Sequence, residues 1–124
     1  MQRSSSALAL SPDRQAAYQR HAEICKVLTD PKRLMILDAL RAEELSVGQL
    51  AELLGASLAN VSQHLGVLRS AALVGTRRSG TTVRYRLTEP RIAEACDIID
   101  AIVGSRGAPG GRVGSADSDL STAS

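Results

Sequence analysis

The stretch from residue 46 to residue 68, SVGQLAELLGASLANVSQHLGVL, constrains the fold more than any other part of the chain. Ser46, with Gln49 three residues later, is the pattern of a capping box at a helix start. Gly55 is suited to the left-handed residue that ends a helix, and Ser57 is suited to cap the next one. The second helix then carries an apolar stripe at helical spacing, which we expect to be buried: Leu58, Val61, Leu65 and Leu68. The stretch therefore predicts two short helices joined by a tight turn.

The face of the second helix opposite this stripe is short-chained and rich in amides. It carries Ala59, Asn60 and Gln63, and it has no carboxylate. A core helix would not need amides there, whereas Asn and Gln pair with adenine edges in the DNA major groove and Ala contacts the thymine methyl group. The pattern therefore indicates a helix-turn-helix whose second helix reads base edges.

Four other side chains of this helix and its cap are candidates for contacts with the DNA backbone. Ser57 and Ser62 carry hydroxyls near the helix start, and Arg69 lies near its end. His64 lies between the two faces, and two interpretations stay open for it: a local hydrogen bond or a contact with a phosphate.

The segment that follows, LVGTRRSGTTVRYRL at residues 73–87, consists of two alternating runs separated by Ser79-Gly80, which predicts a β-hairpin. Strand alternation places two of its arginines on one side and Tyr85 on the other. A basic hairpin after a recognition helix is typical of a wing that contacts phosphates or the minor groove. The alternative is that the arginines lie on an edge strand, where their solvated charges prevent aggregation. The hairpin arginines are Arg77, Arg78, Arg84 and Arg86, of which the last two share a side.

Three segments, DPKRLMILDAL, ELSVGQLAELLGASLANVSQHLGVLRSAALV and RRSGTTVRYRL, together resemble the ArsR/SmtB family of bacterial winged-helix repressors. The resemblance runs from about Glu23 to about Val103. It implies a mainly α fold with a small two-stranded antiparallel β-wing, a winged helix-turn-helix that dimerises through its first and last helices. It also implies binding to double-stranded operator DNA and release by an inducer, and we expect an inverted-repeat operator.

Cap patterns predict three more helices: from Ser11-Pro12-Asp13 to about Thr29, from Lys32 to about Arg41, and from Thr88-Glu89-Pro90 to about Val103. We therefore divide the chain into a flexible arm at residues 1–10, a DNA-binding and dimerisation domain at 11–104, and a tail at 105–124. The tail is rich in Gly, Ser and Ala, so we expect it to be disordered.

Composition agrees with one small domain and argues against other classes. Phe and Trp are absent and there are 2 Tyr in 124 residues, so the core must be aliphatic. The formal charge of +2 does not itself indicate nucleic acid, and only the clustering of arginines in the hairpin does. No apolar run approaches the length of a membrane span, and two cysteines favour a reducing cytoplasm over a disulfide framework.

Two cysteines are the candidate residues for sensing an inducer. Cysteines that some metal-sensing members of the family carry on the third helix are absent, and the last helix has no histidine. Cys25 and Cys96 remain, and three interpretations stay open: small buried hydrophobes, a redox or reactive-sulfur sensor that forms a disulfide or polysulfide, and a metal or metalloid site. The ligands of that last site would be His21, Cys25, Cys96 and Asp100.

We expect no enzymatic activity and no required cofactor, because the chain has no Cys-x-x-Cys pair and no recognisable nucleophile with its base and oxyanion donors. The sequence therefore predicts a homodimeric, sequence-specific transcriptional repressor in the cytoplasm. A metal-responsive repressor and a non-specific architectural DNA-binding protein are the alternatives.

Overall fold

The computed structural model describes residues 9–105, and this part of the chain forms five helices and a three-stranded antiparallel sheet. The predicted arm at 1–10 and tail at 105–124 therefore lie almost wholly outside the described residues. In chain order the elements are α1 (Pro12–Val27), α2 (Pro31–Ala39), β1 (Leu45–Ser46), α3 (Val47–Leu54), α4 (Leu58–Ser70), β2 (Val74–Ser79), β3 (Thr82–Leu87) and α5 (Arg91–Ser105).

Side-chain caps start the helices where the sequence predicts. The Ser11 hydroxyl accepts a hydrogen bond from the Arg14 amide at the start of α1, and the Asp30 carboxylate accepts one from the Lys32 amide at the start of α2. Both helices also have proline in the first turn, where its missing N–H costs no hydrogen bond. The helix ends differ from prediction by about two residues, since α1 and α2 stop earlier and α5 runs longer.

The helix-turn-helix forms as its caps predict. The Gln49 amide donates to Ser46 Oγ at 3.2 Å, and the Ser46 amide donates to Gln49 Oε1 at 2.9 Å, which completes the capping box. Gly55 ends α3 in the left-handed conformation, with φ at 63°. Ser57 Oγ then accepts a hydrogen bond from the Asn60 amide at 3.0 Å and starts α4.

The sheet contains one strand more than the two predicted. β1 pairs with β3, so the order in the sheet is β1-β3-β2. The prediction missed β1 because a strand of two residues shows no alternation. The hairpin loop is also one residue later than expected: Ser79 pairs with Thr82, and Gly80 takes a positive φ at the first loop position.

The core is aliphatic and lies where α2, α3 and α4 meet the sheet. Three of the four residues in the predicted stripe of α4 are buried, but Leu58 is 57% exposed. Leu58 is the first residue of the helix, and the buried part of the stripe begins one turn later, at Val61. The side chains that are nearly inaccessible are Ile36, Leu37, Leu50, Val61, Leu65 and Leu68.

The two terminal helices contribute little to this core. α1 has no buried residue, although Ile24, Val27 and Leu28 pack against the core from one side. In α5, Ala93 is buried and Ile92 packs against the core. Four apolar residues farther along α5 are about half exposed or more: Ile98, Ile99, Ile102 and Val103. Within residues 9–105, no helix is long and apolar enough to cross a membrane.

Candidate nucleic-acid interface

The solvent side of α4 carries the predicted base-reading face. Ala59, Ser62 and Gln63 are exposed, while Val61 and Leu65 point the other way into the core. Short side chains let the helix backbone approach a groove closely, and the amide of the exposed Gln63 can both donate to and accept from a base edge. Gln63 is therefore the best-presented base-reading candidate.

Asn60 is less well presented than the sequence predicts. Its side chain is half-buried, and its Oδ1 atom is buried without a hydrogen-bond partner among the described residues. A buried acceptor without a partner costs about 1–3 kcal/mol, so the amide gains from any rotation that brings Oδ1 to a donor. Asn60 thus lies at the flank of the reading face rather than at the centre of that face, one helical turn before His64.

His64 adopts the local alternative. Its side chain is 12% exposed. Arg33 Nη1 lies 3.3 Å from His64 Nδ1, and Nε2 lies 3.9 Å from a carboxylate oxygen of Asp30. The Arg33 Nε–H group also donates to the carbonyl oxygen of Val27 at 2.6 Å, so one guanidinium joins the end of α1 to α4. Of the two interpretations left open by the sequence, this geometry favours the local hydrogen bond over a phosphate contact.

The remaining candidates on α4 keep groups available to DNA. The Ser57 hydroxyl accepts the capping hydrogen bond and still has its own proton to donate. Arg69 is exposed in the last turn of the helix. Both therefore lie where a phosphate can reach them, at opposite ends of the helix.

The hairpin register divides the four wing arginines between two faces. Arg77 lies directly across from Arg84, and Arg86 lies across from Gly75. Because side chains alternate along a strand, these three arginines share one face and Tyr85 lies on the other, as predicted for Arg84 and Arg86. Arg78 pairs with Val83 on the face of Tyr85, close to the loop.

Glu44 supplies an acid to this wing that the sequence reading missed. Arg77 donates to Glu44 Oε1 from Nε at 3.0 Å and from Nη2 at 2.7 Å. These hydrogen bonds lower the pKa of Glu44 and raise that of Arg77, and the charges of Arg84 and Arg86 lower the pKa of Glu44 further. The hairpin itself contains no acid, and the partner lies 33 residues earlier in the chain. The only feature of the sequence that hints at this pairing is that Glu44 comes just before the capping-box segment.

Comparisons with known proteins agree with this geometry. A family model described as a helix-turn-helix domain matches residues 28–77. The biofilm growth-associated repressor of Xylella fastidiosa (strain Temecula1) is 41% identical over 81 residues, which are 65% of this chain and 68% of that protein. A homodimeric winged helix-turn-helix domain from Mycobacterium bovis, described as a possible ArsR-family transcriptional regulator, has a TM-score of 0.70 at 30% identity and covers 79% of this chain and 91% of that one. The chain belongs to the ArsR/SmtB family of winged helix-turn-helix transcriptional regulators.

Other relatives within this family are also named as regulators. The HTH-type transcriptional regulator KmtR of Mycobacterium tuberculosis is 44% identical over 80 residues, which are 64% of this chain but 60% of KmtR. The chain therefore spans less than two thirds of the length of KmtR.

The two cysteines of this family member lie on different helices in unlike environments. Both are free, with Cys25 exposed on α1 and Cys96 half-buried on α5. Cys96 lines a small cleft between α2 and α5 whose acids include Asp38, Asp97 and Asp100. Burial raises the pKa of the Cys96 thiol, and the charges of Asp100 and Asp97 raise it further, with a smaller opposing effect of Arg41. Cys96 is therefore held as a thiol rather than as a reactive thiolate.

The predicted four-ligand metal site does not form within one chain. Among residues 9–105, no three His, Cys, Asp or Glu side chains come close enough together to hold a metal ion. The spacing in sequence puts His21 and Cys25 one turn apart on α1, and Cys96 and Asp100 one turn apart on α5. It does not determine whether the two helices bring the pairs together.

Proposed function

We propose that the protein is a homodimeric, sequence-specific transcriptional repressor that occupies an inverted-repeat operator until an inducer acts. The observation that carries this proposal is the exposed face of α4 around Gln63, which lies beside an arginine-bearing hairpin. The helix supplies base recognition and the hairpin supplies phosphate contacts, so the two together read a short DNA site. A related protein named as a repressor supports the direction of regulation.

Homodimerisation is supported by the two terminal helices. α1 buries none of its residues in the single chain, and α5 exposes a contiguous apolar face toward its C-terminal end. A second copy packed against these faces removes that apolar surface from water. With a two-fold axis through such an interface, we expect the two α4 helices to contact half-sites about one or two DNA turns apart.

For the inducer, we propose oxidation of Cys25 and Cys96. The two thiols form a disulfide and lose two electrons and two protons to a hydroperoxide, which leaves as an alcohol and water. Support comes from the free state of both thiols and from their location on the two helices that carry the unburied apolar faces. The exposed Cys25 is the nucleophile in this scheme, because the pKa of Cys96 is raised. A polysulfide link from a reactive sulfur species would have the same effect on the two helices.

Fluorescence anisotropy with two labelled duplexes tests the proposal. One duplex is the DNA upstream of the protein's own gene, and the other is a scrambled sequence of equal length. We expect reduced, metal-free protein to prefer the first by roughly 10³-fold or more. Equal affinity for both duplexes would instead identify a non-specific architectural protein.

The inducer is tested by repeating the titration after treatment with a hydroperoxide. We expect affinity to fall and a thiol reductant to restore it, and we expect Cys25→Ser to abolish the response. Unchanged affinity, with the disulfide confirmed by mass, would contradict thiol sensing. Titration with zinc or a thiophilic metalloid then tests the alternative inducer.

A further inference from the structure

Glu44 lies outside the hairpin but on the face that carries three of its arginines. β1 pairs with β3 so that Leu45 lies across from Tyr85 and Ser46 across from Arg84. Continuing this register by one residue places Glu44 across from Arg86. Its carboxylate reaches across β3 to Arg77, the arginine on the far strand.

The charged residues of β2 and β3 on this face are all arginines. Arg77 and Arg84 are direct cross-strand neighbours, an arrangement that is unfavourable for two cations. Arg86 lies across Gly75, with its guanidinium carbon 3.8 Å from the position that a β-carbon there would occupy. One carboxylate therefore offsets part of the repulsion among three guanidinium groups.

We propose that Glu44 competes with DNA phosphates for Arg77 and thereby limits the affinity of the wing for DNA of any sequence. This inference rests on the proposed function. Both hydrogen bonds from Arg77 use its Nε and Nη2 groups, the edge that a guanidinium offers to a phosphate in two-point contact. A phosphate can bind that edge only by displacing the carboxylate.

The effect of Glu44 is independent of sequence because it acts through charge. Base recognition depends on α4, whereas wing–phosphate contacts release counterions equally from any duplex. The carboxylate keeps the complex weak enough for an inducer to release it. Removing the negative charge should therefore tighten binding to operator and random DNA by the same factor.

Glu44→Gln tests this inference, because the amide oxygen can still accept hydrogen bonds from Arg77 while the charge is lost. We expect roughly two- to fivefold tighter binding to both the upstream and the scrambled duplex at low salt. We also expect the slope of log affinity against log salt to steepen by up to about 0.9, the value for one additional phosphate contact. Glu43→Gln is the matched control, since it removes the same charge from the neighbouring exposed residue.

Arg77→Gln completes the test. If Glu44 acts through Arg77, the gain from Glu44→Gln should disappear in the Arg77→Gln background. Unchanged or weaker binding by Glu44→Gln, with wild type still preferring its operator, would overturn this inference and leave the proposed function standing. A wild-type protein without that preference would overturn the proposed function instead. An equal gain in DNA affinity in Glu43→Gln would show that the effect comes from net charge alone, and it would also overturn the role of Glu44.

Discussion

Gln63 is the residue on which sequence recognition depends most directly. It is exposed on the reading face of α4, while Val61 and Leu65 of the same helix are buried in the core. A side-chain amide bonded to an adenine edge in two places contributes about 1–3 kcal/mol of discrimination. We expect Gln63→Ala to weaken operator binding by that amount and to relax the preference at one base position. Competition titrations against single-base operator variants measure both effects.

The control for this substitution is Gln19→Ala, an identical change on α1, which should leave the base preference unaltered. If Gln63→Ala changed neither affinity nor base preference, the reading face would have to lie elsewhere on the helix.

The contact between His64 and Arg33 leads to a different prediction: its loss should affect stability and not the salt dependence of DNA binding. His64→Ala removes the acceptor of the Arg33 hydrogen bond and a largely buried imidazole ring that lies against Arg33 and Asp30. We expect about 1–2 kcal/mol less stability toward urea, because a part-buried donor loses its partner. The salt dependence of DNA binding should not change, since no phosphate contact is lost. A slope shallower by about 0.9 would show that His64 contacts a phosphate after all.

The role of a residue could be predicted from the sequence where it depends on neighbours within one turn of the chain. It could not be predicted where it depends on a contact with a residue that is distant in the sequence. Ser46, Gln49 and Gly55 act within one turn of the chain, so their roles were predictable. Whether His64 contacts Arg33 or DNA depends on how α2 packs against α4. The pairing of Arg77 with Glu44 likewise depends on the position of β1, a strand too short to be recognised in the sequence.

At the scale of single elements, two glycines in the helix-turn-helix predict opposite outcomes for the same substitution. Gly55 adopts a φ of 63°, where a β-carbon is strained although no neighbouring atom lies within 4 Å. Gly66 lies within α4 with ordinary helical backbone and also with no atom within 4 Å. We expect Gly55→Ala to destabilise the protein by about 1 kcal/mol and Gly66→Ala to stabilise it by about 0.5–1 kcal/mol.

Thermal or urea unfolding of the two variants measures this difference, and each serves as the control for the other. A loss of stability in both variants would mean that the space beside Gly66 is needed for packing. A gain in both would show that the turn relaxes away from its left-handed conformation.

Single elements also show why the extent of burial was harder to predict than helical spacing. The stripe of α4 was correct for Val61, Leu65 and Leu68, yet Leu58 is exposed. Helical periodicity reports the direction in which a side chain points, but it carries no information on where along the helix the neighbouring element ends. The same reasoning applies to Cys25 and Cys96, whose separation depends on how α1 and α5 are arranged.

At the scale of the whole molecule, the ion pair between Arg41 and Asp97 joins α5 to the segment that follows α2. Arg41 donates from Nη1 to Asp97 Oδ1 at 2.8 Å and from Nη2 to Oδ2 at 2.7 Å. These hydrogen bonds lower the pKa of Asp97 from its ordinary value of 3.8. A carboxyl whose folded pKa lies below its unfolded pKa stabilises the native state above the unfolded value and loses that contribution as pH falls through the folded value.

We therefore expect Asp97→Asn to be less stable than wild type at pH 7 by about 0.2–1 kcal/mol, the range for exposed pairs. The difference should shrink below about pH 4, as the wild-type carboxyl itself becomes protonated. Urea unfolding of both proteins between pH 2.5 and pH 7 checks this, and Arg41→Gln should show the same convergence. A difference that does not change with pH would mean that Asp97 acts through packing rather than charge.

The exposed apolar face of α5 yields the prediction that concerns the assembly as a whole. Ile98 on α5 and Leu53 on α3 are both 64% exposed in the single chain, so exposure alone does not distinguish them. Ile98 belongs to the exposed apolar face of α5, on which Ile102 lies one turn farther along the same side of the helix. If α5 forms the dimer interface, Ile98→Glu places a charge in an apolar contact and should give a monomer, while Leu53→Glu should leave the dimer intact. Sedimentation velocity at micromolar concentration separates the two states. Because two linked recognition helices bind an inverted repeat far more tightly than one, the monomer should also lose operator affinity. It should still unfold cooperatively, but at a lower temperature than the dimer. A dimeric Ile98→Glu protein, or a Leu53→Glu protein that dissociates, would place the interface on another surface of the molecule.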